Sequence, residues 1–191
     1  MNPIMNKKHF LSVLLVPSCI LMIPAAAMLL KAEGWAWTAA DFVVMWVLIA
    51  SAVAAYKFVA SKAPNRAYRW AAGVAAVTGL VLLWMNGAVG LIGSENNPAN
   101  LMYVGVLAIG LTGAAIARLR PLGMARALFV TAVAQFLVPV IALIVWQPDF
   151  SPGVVQVFAL NFGFVLMFAG SALLFRHAGT KSGGAGMPMP V

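Results

Sequence analysis

Six long apolar runs, separated by short clusters of charged, amide and proline residues, set the pattern of the chain. The first extends from Phe10 to Leu30 and contains Pro17 and Pro24, which a helix inside a bilayer tolerates where neighbouring groups satisfy the freed carbonyls. The second begins near Asp41 and ends near Ala60. It follows Thr38 in the spacing T-A-A-D of a capping box. The third runs from Tyr68 to Ile92 and stops at Gly93-Ser94-Glu95-Asn96-Asn97. A fourth starts at Asn97-Pro98 and ends at Arg118, because proline at a helix start lacks only an N–H that would have no partner there. The fifth covers Leu122 to Trp146, with Pro139 inside, and the sixth opens at Ser151-Pro152 and reaches Phe175.

Each run supplies the roughly 20 mostly apolar residues that a helix needs to cross a bilayer. Strict alternation of apolar and polar residues is missing, so an outer-membrane barrel is not expected. The pattern predicts an all-α integral membrane protein, a bundle of six transmembrane helices in one domain over residues 1–178. A Gly/Pro-rich tail over residues 179–191 is expected to be disordered. Short connections favour antiparallel neighbours. The two halves show no internal repeat, which speaks against an inverted-repeat transporter.

Composition fixes the class. Hydrophobic residues make up 63 % of the 191 and charged residues 8 %, with a mean hydropathy of +0.98; soluble domains carry about 25 % charged residues. Twelve Lys and Arg against four Asp and Glu give a net charge of +8. The basic residues stand at the ends of apolar runs and are not interleaved with aromatics, so orientation in a membrane explains them better than nucleic-acid binding.

Lys and Arg are retained on the cytoplasmic side during insertion. With the N-terminus inside, six crossings place Lys7, Lys8, Lys57, Lys62, Arg66, Arg69, Arg118, Arg120, Arg126, Arg176 and Lys181 on that side and leave only Lys31 outside. All four acids, Glu33, Asp41, Glu95 and Asp149, fall opposite. The expectation is a bacterial inner-membrane protein with both termini cytoplasmic. Trp35, Trp37, Trp84 and Trp146 fall near outer ends and Trp70 at an inner end, as interfacial belts require. Lys7-Lys8, the first run and Ala25-Ala26-Ala27 mimic a signal peptide, but the run continues to Leu30 and is read as an uncleaved helix.

Candidate chemistry is sparse. None of the acids lies near an expected midplane, and Asp41 is accounted for by its place at a helix start. His9 and His177 stand at inner helix ends, poorly placed for a haem between helices. The single cysteine, Cys19, excludes an internal disulfide. No cofactor or metal is expected. What remains is a short set of amides within spans, Asn86, Gln135 and Asn161, together with Glu95, Asn96, Asn97 and Asn100 of the outer segment. Together these are the candidate ligand-binding residues, facing the periplasm. Arg66, Arg69, Arg118, Arg120 and Arg126 are candidates for anionic lipid headgroups. Gly87, Gly90 and Gly93 near the end of span three, and Gly105, Gly110 and Gly113 in span four, offer small faces for close packing. They predict that spans three and four form the tight centre of the bundle, or dock a membrane partner or second copy.

The stretch W-M-N-G-A-V-G-L-I-G-S-E-N-N-P-A-N-L-M-Y from Trp84 to Tyr103, with R-L-R-P-L-G-M-A-R-A-L from Arg118 to Leu128, resembles an uncharacterised family of small bacterial multi-pass membrane proteins. The likeness covers the middle third of the chain and extends loosely to Asp41-Phe42. It implies a multi-span inner-membrane protein and carries no catalytic residue with it. The expected role is non-enzymatic binding at a periplasm-facing polar pocket. Its rivals are transport of a neutral solute, which needs a continuous polar path past Gln135, and service as a structural or assembly subunit. An enzyme acting on lipid or quinone ranks last, because no nucleophile–base pair or metal set is visible.

Overall fold

Each polar cluster becomes a turn and each apolar run a helix. The computed structural model describes residues 7–184, with side chains from 11 to 180. The helices are α1 (Lys7–Leu29), α2 (Ala39–Ala60), α3 (Arg66–Ala88), α4 (Leu101–Ile116), α5 (Pro121–Trp146) and α6 (Pro152–Gly184), with a single 3-10 turn at Pro98–Asn100 before α4. Among the described residues, six helical segments are long and apolar enough to cross a membrane. The protein is all-helical over its described residues, as the pattern predicts.

Start signals act as the sequence implies. Thr38 and Asp41 form a capping box: the Thr38 amide and hydroxyl donate to the Asp41 carboxylate at 2.7 and 2.8 Å, and the Asp41 amide donates back to the Thr38 hydroxyl at 3.3 Å. Asn97 accepts from the Ala99 amide at 2.9 Å and starts the turn at Pro98. α6 begins at Pro152, after Ser151, whose carbonyl takes the amides of Val154 and Val155.

Two ends differ from expectation. α3 stops at Ala88, short of Ile92, although Val89, Leu91 and Ile92 are apolar. Gly90 and Gly93 take left-handed φ of 69° and 71°, which only glycine adopts without penalty, and the chain leaves the helix there. At the other end α6 runs through Gly184, into the segment expected to be disordered. No proline follows until Pro188, and Gly179 lets the helix lie against Leu122, whose side chain a Cβ would meet at 2.8 Å. Residues 185–191 of that tail lie outside the described residues.

The chain divides into two units, Met1–Phe58 and Val59–Val191. In the first, the indole N–H of Trp46 on α2 donates to the Ser18 hydroxyl on α1 at 3.2 Å, while that hydroxyl donates to the Leu14 carbonyl. In the second, α5 packs most extensively on α6; α3 lies on the other flank of α6 and α4 on the other flank of α5. The buried positions of α6 recur every three or four residues, through Asn161, Phe164, Phe168, Ser171, Phe175 and Ala178, which is the stripe a helix needs against two neighbours.

The expected tight pairing of spans three and four is not formed, since α3 and α4 touch only sparingly. The small face of α4 is used elsewhere. A Cβ on Gly113 would lie 2.7 Å from that of Ala127, and one on Gly110 would lie 3.2 Å from the Thr131 hydroxyl, both on α5. Spacing of small residues marks a close-packed face but does not say which neighbour meets it.

Candidate functional site

The outer segment between α3 and α4 is organised by one side chain. Asn100 is 4 % exposed. Its Oδ1 accepts from the amides of Leu91 (3.1 Å) and Ile92 (2.9 Å), and its Nδ2 donates to the carbonyls of Ile92 (3.3 Å) and Ser94 (2.7 Å). This amide does the work of a strand ladder for a loop that has none. Gly90 belongs to the same knot, because a Cβ there would run into the Ser94 carbonyl and the Glu95 amide. Asn86 on α3 donates from Nδ2 to the Asn100 carbonyl at 3.2 Å, while its own Oδ1 is buried without a donor. Asn97 is taken up by capping, and the Asn96 amide reaches only the Glu95 carboxylate, at 3.5 Å and exposed.

One turn along α4 from Asn100 stands Tyr103, about 4.5 Å further on at 1.5 Å per residue. Its hydroxyl donates to Asn161 Oδ1 at 3.0 Å. The same oxygen accepts from Gln135 Nε2 at 2.8 Å, so α4, α5 and α6 meet at one amide. Asn161 Nδ2 donates to the Val157 carbonyl at 2.8 Å. That last bond fixes the orientation of both amides. With its NH₂ committed to Val157, Asn161 presents oxygen to Gln135, so Gln135 must offer its own NH₂ in return. Gln135 Oε1 is left buried with no donor, on a residue that is 0 % exposed.

The backbone adds to this. In an α-helix a carbonyl accepts from the amide four residues on, and for Gln135 that residue is Pro139, which has no N–H. The usual i+4 amide is therefore missing for the main-chain carbonyl of the residue whose side-chain carbonyl is unpaired. Gln135 stands eleven residues before the end of α5 at Trp146, a rise of roughly 16 Å, about half the thickness of a bilayer core.

The sequence-chosen amides thus separate into pairs joined through α4. Asn86 and Asn100 hold the outer segment; Gln135 and Asn161 form the buried centre with Tyr103. Sequence reasoning did not single out Tyr103, and its place three residues after Asn100 on a common helix face is the signal that could have found it. Towards the Arg-bearing end the next inward positions of α6 after Asn161 are Phe164, Phe168 and Phe175, all buried. The hydroxyls at that depth are spent on carbonyls: Thr131 on Ala127, Thr78 on Val74, and Ser171 on Ala71 of α3.

At that opposite end of the second unit, polar contacts gather the start of α3, the α4–α5 turn and the end of α6. The Tyr68 hydroxyl donates to the Leu119 carbonyl at 2.7 Å, its ring meets Phe175 edge-on at 4.8 Å, and Asn65 Nδ2 donates to the Ala178 carbonyl at 2.9 Å. Arg118 and Leu119 both take left-handed φ (47° and 58°) to make the turn. Arg66, Arg69, Arg118, Arg120 and Arg126 are all exposed around it. Among the described residues no group of three or more His, Cys, Asp or Glu side chains is placed to hold a metal. Comparison with family models, curated proteins and solved structures found no match.

Proposed function

We propose that the protein is a bacterial inner-membrane binding protein, with both termini cytoplasmic, that holds a small neutral ligand through its hydrogen-bond donors at Gln135. One observation carries the reading: the Gln135 side-chain oxygen is buried in an apolar helix array with no donor. An unsatisfied buried acceptor costs about 1–3 kcal/mol, and a ligand hydroxyl or N–H recovers that cost. Asn86 Oδ1, the second unpaired acceptor, lies at the outer end of the same polar series. The ligand enters from that side.

A neutral ligand fits better than an ion, because amide and phenol groups line the centre and no carboxylate stands within it to balance a charge. Binding fits better than catalysis, since amides do not ionise and the Tyr103 proton is committed to Asn161. Retention fits better than passage, because the phenylalanines beyond Asn161 interrupt any polar path. Sidedness is supported within the second unit, where Glu95 and Asp149 occupy the connections at one end and the arginines those at the other.

The test is thermal unfolding of the protein in lipid nanodiscs against a panel of small neutral alcohols, amides and polyols, for wild type and Gln135→Leu. A ligand at a hundred times its Kd stabilises the native state by about 2.7 kcal/mol. The reading expects such a shift in wild type and its loss in the variant; equal shifts in both would sink it.

A further inference from the structure

We infer that the arginine-rich end of the second unit is a binding site for the phosphate headgroup of an anionic phospholipid, with its acyl chains on the adjoining helix surfaces. The inference rests on the helices crossing a membrane and not on the reading of Gln135.

Positive residues at this end would serve orientation wherever they stood on the cytoplasmic loops. Their arrangement goes further than that. The bond from the Tyr68 hydroxyl to the Leu119 carbonyl pins two segments together, and each brings a pair of guanidinium groups: Arg66 and Arg69 on α3, Arg118 and Arg120 on either side of Leu119. Arg126 on α5 and Arg176 on α6 complete the set, and all six side chains are exposed. The four acids of the chain all lie in or beside other connections, at residues 33, 41, 95 and 149. α3 and α5 start at this end while α4 and α6 finish there, so the helix dipoles offset one another and the positive potential is that of the arginines. An external anion relieves their mutual repulsion. Guanidinium suits phosphate because it donates in a bidentate fork.

The neighbouring surface selects a lipid over a free anion or a nucleic acid. Trp70, next to Arg69, is 71 % exposed, and Ile116, two residues before Arg118, is 78 % exposed. Leu122, between Arg120 and Arg126, is half exposed. Cationic groups bordered by exposed apolar side chains match an amphiphile whose phosphate and acyl chains arrive together. Two arginine pairs favour a headgroup with two phosphates, as in cardiolipin, over one with a single phosphate.

The test is native mass spectrometry of the full protein released from mild detergent, with cardiolipin, phosphatidylglycerol or phosphatidylethanolamine added, alone and with excess inorganic phosphate. The expected order of retention is cardiolipin, then phosphatidylglycerol, then phosphatidylethanolamine, unchanged by inorganic phosphate. Arg69→Gln with Arg118→Gln and Arg120→Gln should weaken cardiolipin on the order of a hundredfold, from a factor of about five per charge. Arg118→Lys with Arg120→Lys keeps the charge that insertion needs, so it separates a binding loss from a topology defect. It should retain phosphatidylglycerol but lose the preference for cardiolipin. Lys31→Gln should change nothing. Equal retention of the three lipids, or cardiolipin binding unaffected by the triple substitution, overturns the inference. Displacement by inorganic phosphate assigns the arginines to a free anion and overturns it too.

Discussion

Removing the Asn100 side chain tests whether the outer segment is a fold element rather than a ligand surface. Asn100→Ala deletes four hydrogen bonds, two accepted from the Leu91 and Ile92 amides and two donated to the Ile92 and Ser94 carbonyls. At about 1 kcal/mol net for each bond the ceiling is roughly 4 kcal/mol. The segment lies at a helix end, where water reaches some of the freed groups, so about 2–3 kcal/mol is expected. For a chain of this length that lowers the melting temperature by roughly 5–10 °C. The assay is tryptophan fluorescence during heating in one detergent, with Asn96→Ala as the exposed control that stays within about 0.5 kcal/mol of wild type. Asn100→Asp sharpens the test: it keeps an oxygen for the Leu91 and Ile92 amides but turns a second, acceptor-only oxygen towards the Ile92 and Ser94 carbonyls, so it is at least as destabilising. A melting temperature for Asn100→Ala within a degree of wild type would refute the clamp.

Other substitutions probe single contacts by the same assay. Tyr68→Phe leaves the Leu119 carbonyl without its donor and should cost about 1–2 kcal/mol; an unchanged melting temperature would contradict the pinned turn. Gly113→Leu forces α4 off Ala127 and should cost about 1–3 kcal/mol or more as overpacking, whereas Gly105→Leu, where nothing lies within 4 Å of a Cβ, should be tolerated. Pro139→Ala restores an amide to the Gln135 main-chain carbonyl, so it should raise the melting temperature; a lower value would go against the account. A phosphatase fusion at Lys62 should be inactive, as a cytoplasmic site requires, and activity there would reverse the proposed topology.

Helix number and helix starts were legible in the sequence because bilayer physics writes them in length and local chemistry. Thr38 with Asp41 and Asn97 with Pro98 act through neighbours three or fewer residues away, so no tertiary knowledge was needed. The end of α3 was not legible from apolarity, since Leu91 and Ile92 look like helix and are held in a loop by the distant Asn100. The partner of the α4 glycines was hidden for a related reason: periodicity identifies a face, and only the packed array shows that α5 covers it. Gln135 and Asn161 stood out as amides in an apolar chain. Their mutual bond, and the empty acceptor it leaves, depend on Asn161 being locked by its own helix at Val157.

The most direct test is a density map of the wild-type protein in lipid nanodiscs, resolved well enough to show ordered water around Gln135. The account predicts non-protein density larger than one water at hydrogen-bond distance from Gln135 Oε1, and its disappearance in Gln135→Leu. A dry void, a lone water, or a protein donor on that oxygen would contradict it.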